Sequence, residues 1–86
     1  MKDKKHLQKV RELGCCICGA KPAHAHHIRE GQGMGQKASD YESIPLCWYH
    51  HQGPQGIHHM GTRAWQERYG REEKLLEVTL AALKMP

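Results

Sequence analysis

Cys15-x-x-Cys18 and Cys47-x-x-His50 are two pairs of soft ligands, each at the spacing with which a turn presents two side chains to one tetrahedral zinc. Together they make a closed Cys3His site of the structural kind. Cys16 lies inside the first pair and is read as packing or facing solvent, with a Cys16–Cys18 pairing the weaker choice of ligands. Giving His50 to the zinc leaves His26 and His27 in "AHAHHIREGQ", His51 beside His50, and His58 and His59 in "GIHHMG". Consecutive helical residues point about 100° apart, so His50 and His51 do not easily serve one ion. Neighbours on a strand point to opposite faces, which separates His26 from His27 in the same way. One imidazole on a metal and its neighbour free is what a hydrolytic site needs, because a free imidazole takes a proton from water near neutral pH.

These side chains must be positioned by a chain of 86 residues, short enough that one domain is expected and that its core is marginal unless a metal or disulfides add to it. Phe is absent, and Trp48, Tyr49, Trp65, Tyr69 and the leucines of 75–83 are what there is to bury. Trp48, Trp65 and Tyr69 are therefore read as core rather than as platforms for bases. No stretch has the apolar length of a signal peptide or a membrane span, so a reducing cytoplasm is expected. There, four cysteines interleaved with histidines favour metal over disulfides. The formal charge of +4, spread from Lys2 to Lys84, suits contact with nucleic-acid phosphates without singling it out.

Along the chain, Leu7, Val10 and Leu13 at three-residue steps predict an amphipathic helix over 2–13, closed by Gly14. Residues 14–60 hold the knuckle "CCICG", a strand over 23–28, the glycine-rich loop "REGQGMGQKASD" and a short strand "YESIP" halted at Pro45. A short helix "LCWYHHQ" follows, stopped by Gly53-Pro54, and then the loop "GPQGIHHMG". Residues 61–86 supply C-terminal helices: one capped by Thr62 and ended at Gly70, and a last one over 71–84 on Leu75, Leu76, Val78, Leu80 and Leu83. No repeat or domain boundary is visible, and the order predicts a small zinc-stabilised α+β domain.

The run "CCICG…HAHHI…ESIPLCWYHH" resembles the HNH, or His-Me finger, endonucleases, in which a knuckle precedes an acidic-or-His/His doublet and "LCxxCH" opens a helix. Within that superfamily it is similar to the RecA-dependent Ref-type (recombination enhancement function) nucleases of temperate phages. The likeness runs through "HHIREGQGMGQKASDYESIPLCWYHHQGPQGIHHMG" and the aromatic helix "RAWQERYG". It implies a ββα-metal fold with flanking helices and single-metal hydrolysis of DNA phosphodiesters. His26 and His51 match the family's ligands for a divalent ion, His58 is taken as the third with His59 as its alternative, and His27 matches the general base. It further implies Mg²⁺ or Mn²⁺ in turnover, RecA filaments as partner, and a phage or prophage gene acting in a bacterial cytoplasm. By ligand softness an all-imidazole site prefers Zn²⁺, so zinc is expected to occupy it as well.

Two departures stand out. No Asn is present, and Glu42 falls where the family has the "N" of HNH; the position four after the helix histidine is Gln55, which is why the third ligand is sought at His58. Arg29, Lys37, Arg63 and Arg68 are candidates to meet DNA phosphates; His24 shares a face with His26 and is read as exposed, with a supporting or alternative ligand role as its second reading, and His6 is read as solvated. The competing reading is a non-catalytic zinc-knuckle module that binds DNA or RecA filaments, and a third is an RNA-directed, structure-specific or toxin-like nuclease using the same residues. His27 separates the first two, since a binding module has no use for a free imidazole beside a three-histidine cluster.

Overall fold

In a computed structural model of the chain, which describes residues 3–28 and 39–84, the first helix, α1, runs Lys4–Glu12. Asp3 caps it, its Oδ1 accepting the backbone N–H of His6 at 3.1 Å. Gly14 follows the helix at φ 83°, a conformation that suits glycine, and a Cβ there would lie 2.9 Å from the carbonyl oxygen of Gly19. The chain can therefore turn tightly into the knuckle, where the Gly19 N–H donates to the Cys15 carbonyl at 2.7 Å and the Cys15 N–H to that of Ala20 at 2.9 Å.

Strand β1 (Ala23–His27) pairs antiparallel with β2 (Ser43–Cys47), placing His26 opposite Ile44 and His27 opposite Ser43. The second strand starts later than "YESIP" implies and runs through Pro45 instead of stopping there. Proline is tolerated on an edge strand, and both strands of a two-stranded sheet are edges. On the far side of β2 the Cys16 N–H donates to the Pro45 carbonyl at 2.9 Å, so the knuckle closes over that edge. All five residues of β2 are buried because α1 packs on it from one direction and the last helix from another.

The short helix α2 (Trp48–His51) leaves β2 directly, α3 (Ile57–Met60) is a single turn where the sequence predicts loop, and α4 (Thr62–Tyr69) and α5 (Glu72–Lys84) follow. Gly61, at φ 90°, is the N-cap of α4; Thr62 already lies inside the helix and makes no cap bond. The core gathers Cys15, Ile28, Ile44, Leu46, Cys47, Ile57 and the fully buried Trp65. The Trp65 indole N–H donates to the His50 carbonyl at 3.1 Å, which pins α4 against α2.

Two expectations about burial are corrected. Trp48 is 58% exposed rather than core, since α2 is only one turn long and the residues it buries are His50 and His51. On α5 the inward stripe is Glu72, Leu75, Leu76 and Thr79, at helical spacing, while Val78 faces solvent. The result is a small α+β domain with a two-stranded antiparallel sheet and helices. Among the described residues no helix is long and apolar enough to cross a membrane.

Candidate metal centres and general base

The knuckle and α2 bring Cys15, Cys18, Cys47 and His50 together, with every ligand atom within 4.8 Å of the others. Tetrahedral zinc, with bonds of about 2.3 Å to sulfur and about 2.0–2.1 Å to nitrogen, sets edges of about 3.8 Å between sulfurs and about 3.5 Å between sulfur and nitrogen. The structure has 3.7 Å between the Sγ atoms of Cys18 and Cys47, and 3.7 and 3.3 Å from His50 Nδ1 to Cys15 and Cys47 Sγ. The four side chains fit a zinc ion, and the cluster is consistent with a structural zinc site.

Their electrostatics sort the neighbouring thiols. Burial pushes the Cys15 thiol up, but backbone N–H groups of Cys47, Cys18 and Ile17 outweigh it and hold the group below its ordinary value, as a thiolate ligand needs. Burial, joined by the charge of Cys15, pushes Cys16 up to about 12. Cys16 is thus a neutral packed thiol, and it stands outside the cluster.

A second cluster joins β1, α2 and α3: His26, His51 and His58, again with ligand atoms within 4.8 Å of one another. Nε2 of His51 and Nε2 of His58 stand 3.0 Å apart, so one of the two carries a proton or both face a cation. Their approach depends on Gly56, where a Cβ would meet the His51 carbonyl carbon at 2.5 Å; without one, α3 lies directly on the backbone of α2. His59, the alternative third ligand, is exposed on α3 and outside the cluster.

Each histidine of the doublet also has a carboxylate. His26 and Glu72 meet at 2.8 Å between Nε2 and Oε2, both buried, the carboxylate coming from the first turn of α5. His27, on the opposite face of the strand and half-buried, meets Asp40 at 2.8 Å between Nε2 and Oδ1. That hydrogen bond, together with the backbone N–H of Asp3 on the other oxygen, holds the Asp40 carboxyl below its ordinary value. An ionised carboxylate only accepts, so Nε2 of His27 carries the proton and Nδ1 is the basic nitrogen.

Sequence reasoning missed two of these residues. Glu72 passed as part of a packing helix and Asp40 as the end of a loop. His24, for which exposure was favoured over a place beside the ligands, is half-buried with its Nδ1 3.1 Å from Nδ1 of His51. His6, read as solvated, is half-buried with its ring 4.8 Å from that of Tyr41. Of the remaining candidates, Glu42 braces the loop end, its Oε1 accepting the Ser39 N–H at 3.3 Å. Arg63 is almost wholly exposed, 3.6 Å from Glu67, and the Arg68 guanidinium lies 5.6 Å from the Tyr69 ring centroid. Arg29 and Lys37 fall outside the described residues.

Comparison with known proteins adds a lineage without an activity. A family model described as "Protein of unknown function (DUF968)" matches residues 1–85. Uncharacterized protein YdfU of Escherichia coli (strain K12) is 36% identical over 74 residues, which make up 84% of this chain and 20% of that relative. The chain thus spans a small part of the length of the curated relative it matches. No solved structure matches it.

Proposed function

The chain belongs to the DUF968 family, and from that starting point we propose that it is a metal-dependent DNA endonuclease of the HNH type, built on a ββα-metal core. The observation that carries the reading is the division of one dipeptide: His26 points into a three-histidine cluster while His27 points out of it onto Asp40. A structural metal site needs the first of these and has no use for the second.

A divalent ion held by His26, His51 and His58 supplies positive charge for the oxygens of the scissile phosphate when bound. The protein's own part begins at His27. With Nε2–H fixed on Asp40, Nδ1 accepts the proton of the attacking water, and the imidazolium that forms faces a carboxylate already ionised. The hydroxide oxygen bonds to phosphorus as the bond to the 3′ oxygen breaks, and the leaving oxygen takes a proton from solvent, giving 5′-phosphate and 3′-hydroxyl ends. Arg63 and Arg68, exposed on α4, are available to phosphates along the strand. Mg²⁺ or Mn²⁺ as working ion, RecA filaments as partner and a prophage setting rest on the resemblance to the Ref-type nucleases.

The test is nicking of supercoiled and single-stranded DNA in Mg²⁺ or Mn²⁺, with and without RecA and ATP. Wild type should cut in at least one condition, and His27→Ala should cut about 10²–10⁴-fold more slowly with unchanged circular dichroism. Cutting by His27→Ala at the wild-type rate, or no cutting anywhere, overturns the reading. Binding to DNA or RecA without cutting would favour the non-catalytic module.

A further inference from the structure

We propose that Glu72, reaching in from α5, is a working part of the three-histidine metal site: its carboxylate accepts the Nε2–H of His26 and so presents Nδ1 of that ring to the ion. The inference rests on the reading of His26, His51 and His58 as metal ligands.

Glu72 has no exposed surface, and the ring it holds is itself buried. Placing a carboxylate there is costly unless it is paired, and an apolar side chain on the same stripe as Leu75 and Leu76 would fill the position without that cost. A stability role therefore explains the carboxylate poorly. A metal-site role explains it directly, because a ligating histidine generally donates its second nitrogen to a carboxylate or carbonyl, which sets the tautomer and aims the lone pair. His51 is also held at its second nitrogen, Nδ1 lying 3.1 Å from Nδ1 of His24 while Nε2 faces His58. The backbone around Glu72 also holds the carboxylate in place. It lies in the first turn of α5, where the helix dipole favours negative charge, and its own N–H donates to Gln66 Oε1 at 2.8 Å. The site thus draws on four elements, with α5 fixing the orientation of a ligand that β1 carries.

The experiment uses the full chain with its Cys3His site filled by zinc, titrated with Co²⁺ and followed by calorimetry and visible absorption. Wild type should take up one further Co²⁺. Glu72→Gln should bind it about 10–100-fold more weakly, with the Cys3His zinc retained. Equal affinity and an identical Co²⁺ spectrum in Glu72→Gln overturn the proposal while leaving the three-histidine site standing. Failure of wild type to bind any second Co²⁺ overturns that site, and the proposal with it. Long-range ¹H–¹⁵N spectra of wild type with zinc in both sites give a readout independent of any variant. Protonation of His26 at Nε2 with coordination through Nδ1 is the expected result, and coordination through Nε2 overturns it.

Discussion

Asp40 Oδ1 lies 2.8 Å from Nε2 of His27, so the imidazole outside the metal cluster is held by a carboxylate at one nitrogen and offers the other. Asp40→Asn keeps the shape but supplies a side chain that donates as well as accepts, so the ring can turn over or change tautomer. In a nicking assay this variant should lose about tenfold or more in kcat with KM little changed, since the defect lies in proton transfer rather than in binding. A change confined to KM would assign Asp40 to the fold of the loop.

The same carboxyl makes a prediction about acid. Its folded pKa is depressed below 3.8 by the His27 hydrogen bond, so the stability it contributes is fully present above that value and is lost as pH falls through the lower, folded one. The gap in Tm between wild type and Asp40→Asn should be largest above about pH 4 and shrink below it. Zinc ligands protonate alike in both proteins, so the difference between the two melts isolates the Asp40–His27 pair.

Chelation should unfold the domain. Apparent zinc binding energies of about 10–16 kcal/mol in small Cys/His modules exceed the ~5 kcal/mol that a chain of this size has to spare. Circular dichroism should show helix lost on adding a strong chelator and regained on adding one equivalent of Zn²⁺. Cys47→Ser should weaken zinc retention, and Cys16→Ser should leave the zinc stoichiometry at the Cys3His site unchanged.

Gly56→Ala places a methyl where the His51 carbonyl carbon, its oxygen and the Gln52 nitrogen already stand at 2.5 to 2.6 Å. Helix α3 must then lift from α2, at a cost of about 1–3 kcal/mol in chemical denaturation. His58 moves with it, so the second Co²⁺ should bind more weakly while the Cys3His zinc stays.

The two tryptophans should behave oppositely. Trp65 is fully buried and donates to the His50 carbonyl, so Trp65→Ala should cost about 3–5 kcal/mol. Trp48 is mostly exposed, and Trp48→Ala should stay within about 0.5 kcal/mol in the same denaturation measurement.

The gathering of the Cys15-x-x-Cys18 and Cys47-x-x-His50 pairs was legible because a turn or a short helix presents side chains at fixed local spacing, and the divergence of His26 from His27 because neighbours on a strand point to opposite faces. The α+β order and most of the helices followed from hydrophobic steps and from glycine or proline breaks. What escaped were the partners that fall outside any ligand motif. Glu72 is 46 residues from His26, His24 is 27 from His51 and Asp40 is 13 from His27. No local pattern relates those positions. Glu72 did leave one trace, a carboxylate at helical spacing from Leu75 and Leu76, but a charged residue on such a stripe reads as a break in the face. Composition likewise reveals that tryptophans are present, not which one the core takes.

Helix α2 sends His50 to one cluster and the very next residue, His51, to the other. The two clusters therefore share a single peptide unit, so an ion held by one would be coupled through that bond to an ion held by the other. Linked equilibria are reciprocal: if filling the Cys3His site raises the affinity of the three-histidine site by some factor, an ion in the latter tightens the hold on zinc by the same free energy. On the proposed reading, the fold would be lost most readily when the ions of both clusters are scarce together.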